Sequence, residues 1–121
     1  MRKWIPCGGG FIEADVIRWK EAVWQRPKRG RGRSVNVGDR MVTAEVIRDE
    51  DGWVDLLVRG YAVVNEKTGR KVVEVLAKGT EIRRQWNTIE RGKPERLPWS
   101  DETVRALLVS RYLGNGKPEL R

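Results

Sequence analysis

The sequence predicts a mainly β protein, an antiparallel sheet followed by one C-terminal α-helix. Apolar and polar residues alternate along several segments of the 121-residue chain, and short glycine-containing turns separate these segments. One later segment instead has apolar residues at helical spacing. Short turns join neighbouring strands in antiparallel fashion. We expect this antiparallel sheet to curl into a small SH3-like or OB-like barrel, with the helix closing one open end.

The first regular segment, residues 11–24, admits two interpretations. Ile12, Val16 and Trp19 have the spacing of a helical stripe, but the segment is rich in β-branched residues. The triple glycine before it offers no side chain that caps a helix. We expect a strand with a bulge near Ile17, and a helix is the alternative.

The middle of the chain predicts a series of strands and turns. We expect a turn at 37–39, a strand over 40–48, an acidic turn at 49–52 and a returning strand over 53–64, which together make the clearest hairpin. Further turns at 65–69 and 78–80 flank a valine-rich strand over 71–77. A last strand is expected over 81–89, followed by irregular chain over 90–98, where glycine and prolines interrupt the pattern.

The C-terminal helix is predicted from its caps and its apolar spacing. Ser100 provides a capping hydroxyl, Asp101 and Glu102 lie in the first turn, and Gly114 occupies the C-terminal cap position. The apolar side consists of Val104, Leu107, Leu108 and Tyr112.

The length of the chain is that of a single domain, residues 1–121. Within it we expect a flexible N-terminal segment over 1–10, a mobile basic loop over 25–36 and a frayed tail over 115–121. No apolar run is long enough to span a membrane.

The composition argues against several kinds of chemistry. One cysteine, Cys7, excludes an internal disulfide and indicates a reducing, cytoplasmic location, and we expect this thiol to be exposed. The lack of histidine removes the usual general base and zinc ligands. A magnesium-dependent nuclease built from Asp55, Glu74 and Lys78 is an alternative, but we expect no enzyme, metal or cofactor.

The basic loop is the most informative feature of the sequence. It carries five Lys or Arg residues without an acid among them, in a chain of net charge +8. Such a segment stays extended until a dense negative partner orders it, and nucleic acid is the commonest partner of that kind. The alternative is an adaptor or inhibitor that docks on an acidic protein surface or associates with itself through a strand edge.

Residues 28–33 of this loop resemble the core of an AT-hook, whose Arg-Gly-Arg unit lies along the narrow minor groove of A·T-rich DNA. The resemblance implies that Arg29 and Arg31, or Arg31 and Arg33, enter the groove. Gly32 stands where the core of that family continues with proline. Narrow grooves attract arginine, so duplex DNA is favoured. Single-stranded RNA and a solvated loop without a partner are the alternatives.

Six tryptophans accompany a single phenylalanine. Trp53, beside a turn, and Trp99, before the helix, are expected to pack in the core. Trp19, Trp24 and Trp86 have basic neighbours and are candidates for stacking on bases, with burial on the inner sheet face as the alternative.

Taken together, these features predict a non-enzymatic nucleic-acid-binding module. The residues expected to contact nucleic acid are Trp24, Arg26, Lys28, Arg29, Arg31, Arg33, Arg40, Arg83, Arg84 and Trp86.

Overall fold

The computed structural model of the chain describes residues 3–26, 32–72 and 76–114. The strands are β1 (Ile5–Pro6), β2 (Val16–Gln25), β3 (Val35–Glu50), β4 (Trp53–Glu66), β5 (Glu81–Gln85) and β6 (Glu95–Arg96), and the helices are α1 (Trp86–Arg91) and α2 (Glu102–Gly114).

The six strands form one antiparallel sheet with the order β1-β6-β2-β3-β4-β5. The sheet does not close within the described residues, because β1 and β5 lie at its two ends. The mainly β class, the antiparallel pairing and the C-terminal helix are therefore confirmed, whereas closure into a barrel is not.

The core lies between the inner face of the sheet and a cover made by α1 and the residues before β2. Its buried members are Cys7, Phe11, Ile17, Trp19, Val42, Ala44, Val46, Val54, Leu56 and Ile89. The alternation of these residues along β2, β3 and β4 is the alternation that predicted the strands.

The strand interpretation is confirmed for residues 16–24, because β2 pairs with β3 along its whole length, whereas residues 11–15 lie in no strand. Ile17, Trp19 and Val23 are buried on its inner face. The irregularity in pairing lies between Val23 and Trp24, not near Ile17 as predicted.

The hairpin of β3 and β4 is also confirmed. Asp51 and Gly52 form its two-residue turn with φ values of 54° and 81°, as the mirror-image hairpin turns require. The turn predicted at 37–39 is wrong, because these residues lie within β3. A Cβ on Gly38 would lie 2.2 Å from the carbonyl oxygen of Asn65, so close strand approach explains this glycine.

The strand predicted over 81–89 is half wrong. It ends at Gln85, and α1 follows at once. Trp86 and Ile89, one helical turn apart, both face the core, where the Trp86 ring stacks on Phe11 with centroids 4.4 Å apart and Ile89 is fully buried. Burial of these two side chains stabilises the helix, although no glycine or proline in the sequence marks the end of the strand before it.

The region predicted to be irregular and the N-terminal segment pair with each other. β6 pairs with both β1 and β2. The backbone N–H of Cys7 donates to the carbonyl oxygen of Pro94 at 2.9 Å, and Cys7 is buried rather than exposed. Within the predicted strand over 71–77, the described residues Lys71, Val72, Leu76 and Ala77 lie in no strand, and 73–75 lie outside the described residues, as does the predicted tail.

The helix α2 begins as predicted but with a different cap. The Asp101 carboxylate, not Ser100, accepts hydrogen bonds from the N–H groups of Thr103 at 2.9 Å and Val104 at 3.3 Å. Leu107 is 62% exposed, so the apolar side of α2 does not cover an end of the sheet.

Polar contacts attach α2 to the sheet instead. Arg105 donates to the buried Asp15 at 2.9 and 2.6 Å, and the Trp99 indole donates to the same carboxylate at 2.7 Å. Arg96 forms a two-point ion pair with Glu102 at 2.9 and 2.7 Å.

Candidate nucleic-acid interface

A cleft of about 630 Å³ lies between the second half of β2 and α1. The described residues that line it are Lys20, Glu21, Ala22, Val23, Trp24, Asp39, Arg40, Arg84, Thr88 and Arg91. β6 pairs with β2 only at Ile17 and Arg18. Beyond Lys20, no other strand of the described chain pairs with this edge of β2.

Gly92 brings α1 and β2 together at one end of the cleft. The backbone N–H of Lys20 donates to the carbonyl oxygen of Gly92 at 3.1 Å. A Cβ on Gly92 would lie 2.2 Å from the Lys20 carbonyl oxygen, so only glycine permits this approach.

The buried carboxylate of Glu21 holds the base of the cleft. It accepts hydrogen bonds from Trp19 Nε1 at 3.0 Å, from Arg40 Nε and Nη2 at 3.0 and 2.9 Å, and from Arg84 Nε and Nη2 at 2.9 and 3.1 Å. Burial alone raises the pKa of Glu21, but the Arg84 contact, followed by those of Trp19 and Arg40, outweighs burial and lowers it. Glu21 therefore remains ionised beside two guanidinium groups.

The lining of the cleft has a positive balance, with four cationic side chains and two carboxylates. Asp39 accepts a hydrogen bond from Asn65 at 2.7 Å. Lys20 and Arg91 are exposed, and in the described part of the chain neither forms an ion pair. These two cations are thus available to an anion from solution.

The basic loop begins next to the cleft. Gln25 of β2 pairs with Val35 of β3, so the loop leaves and re-enters the sheet at one point. Arg26 and Arg33 are exposed on either side of this pair. The predicted contact residues Lys28, Arg29 and Arg31 lie outside the described residues.

The three candidate stacking tryptophans differ in burial. Trp24 lines the cleft and is 59% exposed. Trp19 is fully buried, which confirms the alternative of burial on the inner sheet face, and Trp86 is half-buried against Phe11. Trp53, predicted to be a core residue, is 44% exposed.

The cleft brings together three of the predicted contact residues, Trp24, Arg40 and Arg84. Arg40 is only 5% exposed and, like Arg84, is bonded to Glu21, so it lies at the base of the cleft and its contact with nucleic acid stays a prediction. Arg83 lies on the opposite sheet face, where it pairs with Asp55 at 2.8 Å.

The predicted metal-dependent nuclease has little support in the described residues. Hydrogen bonds from Arg83 and then Arg48 lower the pKa of Asp55 and occupy its carboxylate. Glu74 lies outside the described residues, among which no cluster of acidic or thiol side chains is suited to a metal ion.

Sequence reasoning missed Glu21, Lys20 and Arg91 as site residues. Strand alternation places Glu21 on the same face as Ile17 and Trp19, and a carboxylate on an apolar face requires partners. No local sequence signal places Arg91 near β2, because the two line one cleft only through the position of α1.

No protein-family model, no curated protein and no solved structure matches the chain significantly. Neither helix of the described chain has the length and apolar character needed to cross a membrane.

Proposed function

We propose that the protein is a non-enzymatic nucleic-acid-binding module whose contact surface combines the basic loop with the cleft beside β2. The observation that carries this proposal is their continuity. Trp24 and Lys20 line the cleft on the same strand that leads into Arg26, the first residue of the loop beyond β2. Cations from separate parts of the sequence therefore lie along one surface.

The physical basis of binding is electrostatic. Each Lys or Arg placed on a phosphate releases condensed counterions and adds affinity that depends on salt but not on sequence. Exposed cations such as Lys20, Arg26 and Arg91 suit this role, whereas Arg40 and Arg84 shape the cleft through Glu21.

Duplex DNA is the favoured partner of the loop. The resemblance of residues 28–33 to an AT-hook core favours a narrow A·T minor groove, in which inserted arginines meet concentrated negative potential. We therefore expect A·T-rich duplexes to bind more tightly than G·C-rich duplexes of equal length.

The experiment that tests the proposal is the triple variant Arg29→Ala, Arg31→Ala, Arg33→Ala. We expect its affinity for A·T-rich duplex DNA to fall by at least about tenfold at low salt. The slope of log Kd against log salt should fall by about 2 to 3, because each phosphate contact contributes about 0.9. Fluorescence anisotropy over a series of salt concentrations measures both quantities.

A matched control removes the same charge elsewhere. The variant Arg48→Ala, Arg59→Ala, Lys78→Ala alters exposed cations outside the loop and the cleft. It should retain most of the wild-type affinity and slope. Equal losses in the two triple variants, or wild-type affinity in the loop variant, contradict the proposal.

A second candidate function follows from the edge of β2. Because no other described strand pairs with this edge beyond Lys20, an extended acidic peptide is able to add to it as a further strand, with Lys20 and Arg91 near its carboxylates. Salt-sensitive binding of an acidic peptide, together with no binding of nucleic acid, would select this function.

A further inference from the structure

The exposed indole of Trp24 bears on which form of nucleic acid enters the cleft. We infer that the cleft holds unpaired nucleotides, with a base stacked on Trp24 and the adjoining phosphates near Lys20 and Arg91. The inference rests on the proposed function and specifies the substrate class of one part of the same site.

Trp24 is unusually exposed for a tryptophan. Of the six tryptophans, all of which the structure describes, only Trp24 and Trp53 are exposed. Each of the others is buried or partly covered by its neighbours. When a flat ligand covers an apolar ring that was exposed to water, the free energy of the system falls.

The two exposed rings have different charged neighbours. Trp24 lines a cleft that also contains Lys20 and Arg91. Trp53 lies at the opposite end of the sheet, directly opposite Glu50 in the β3–β4 ladder and two residues before Asp55. Lys20 and Arg91 give Trp24 neighbouring cations that attract phosphates. Beside Trp53, Arg83 and Arg48 are paired with Asp55, and Glu50 and Asp51 leave no excess of positive charge.

Stacking on Trp24 requires a base whose face is uncovered. In a duplex, neighbouring base pairs cover the faces of each base, whereas an unpaired base offers its face to an aromatic side chain. Trp24 belongs to a paired strand rather than to the loop, so its position is set by the ladder with β3. It provides a fixed platform next to cations, as single-strand binding proteins do.

On this inference the basic loop binds duplex DNA and the cleft binds unpaired nucleotides. Trp24 directly precedes Gln25, where the basic loop leaves the sheet, so one ligand with a duplex part and an unpaired extension could contact both the loop and the cleft. Linked contacts of this kind strengthen each other through effective concentration. We therefore expect a duplex with a single-stranded extension to bind more tightly than the blunt duplex.

The experiment compares Trp24→Ala with its matched control Trp53→Ala. The ligands are a blunt A·T-rich duplex, one strand alone, and the duplex with an unpaired extension. Trp24→Ala should weaken binding of the last two ligands by about tenfold, the scale of losing one stacked base, and leave the blunt duplex unchanged. Trp53→Ala should bind all three like wild type.

Fluorescence identifies the ring that is covered. Quenching by the single strand should disappear in Trp24→Phe and persist in Trp53→Phe. Circular dichroism and urea unfolding of each variant separate lost contact from lost folding. Loss of affinity for all ligands in a folded Trp24→Ala protein, or an unchanged affinity for single strands, overturns the inference.

The outcomes also distinguish this inference from the proposed function. If wild type binds no nucleic acid, both fail. If the loop variant loses duplex binding while Trp24→Ala leaves single-strand binding unchanged, only the inference fails. Quenching of Trp24 by a poly-glutamate peptide but by no oligonucleotide also overturns it, in favour of a peptide ligand.

Discussion

Arg84 and Glu21 form a two-point contact at the base of the cleft, with Nε 2.9 Å from Oε1 and Nη2 3.1 Å from Oε2. Two strands separate β5, which carries Arg84, from β2, which carries Glu21. The contact therefore crosses the inner face of the sheet, and it ties the edge strand to the wall of the candidate site. Glu21 is a positioning residue, because it acts on the cleft through the arginines that it holds.

Replacing this carboxylate should destabilise the fold. In Glu21→Gln, Arg40 and Arg84 face an uncharged amide in a buried setting. Removing one partner of a buried ion pair costs about 3–5 kcal/mol. The free energy of unfolding, measured by urea denaturation, should fall by an amount in this range.

Glu45→Gln is the matched control. Glu45 pairs with Arg59 on the surface, where an ion pair contributes about 0–1 kcal/mol. We expect this variant to unfold within about 1 kcal/mol of wild type. If both variants lose equal stability, the cluster around Glu21 does not have the role assigned to it.

Gly92→Ala should separate α1 from β2. The new methyl group would meet the backbone of Lys20 at 2.2 Å, and a backbone segment can move only together with its strand. We expect a loss of about 1–3 kcal/mol in unfolding free energy, the usual cost of overpacking. Binding of single-stranded nucleic acid should weaken as well, since α1 forms one wall of the cleft.

Gly60→Ala tests whether the loss is steric. No atom lies within 4 Å of a Cβ at Gly60, so this variant should match or slightly exceed wild-type stability. A Gly92→Ala protein as stable as Gly60→Ala would show that the approach of α1 to β2 is looser than described.

The sequence predicted those elements that local physics determines. β3 and β4 carry a regular alternation on both sides of Asp51 and Gly52, which favour a tight turn, so strand and turn signals agree. At the end of β5 the sequence gives no turn signal, because no glycine or proline separates Gln85 from Trp86. Only the packing of Trp86 and Ile89 against the core selects a helix there, and this packing depends on residues distant in sequence.

The candidate site was predicted only in part, because much of it depends on contacts between residues that are distant in sequence. Charge density identified the basic loop without any structure. The cleft depends on Gly92 meeting Lys20 and on Arg84 crossing the sheet to Glu21, and no short sequence pattern encodes either contact. The burial of Arg40 cannot be seen in the sequence, because its partner Glu21 lies on a neighbouring strand.

Cys7 should be an unreactive thiol in the folded protein. Burial, followed by the charge of Asp15, raises the pKa of the Cys7 thiol to about 12. Because the thiolate is the nucleophile, we expect native protein at pH 8 to react with an aromatic disulfide reagent at least about a hundredfold more slowly than protein unfolded in urea. Equal rates in the two states would place Cys7 outside the core.

The attachment of α2 through Arg96 and Glu102 should weaken in acid. Hydrogen bonds from Arg96 and then from the backbone N–H of Trp99 lower the pKa of Glu102 from 4.5 to about 2. A carboxyl with a depressed pKa contributes stability that is complete above 4.5 and is lost as pH falls towards 2. The difference in unfolding free energy between wild type and Glu102→Gln should therefore shrink over this range. A constant difference over this range would contradict the assigned contact.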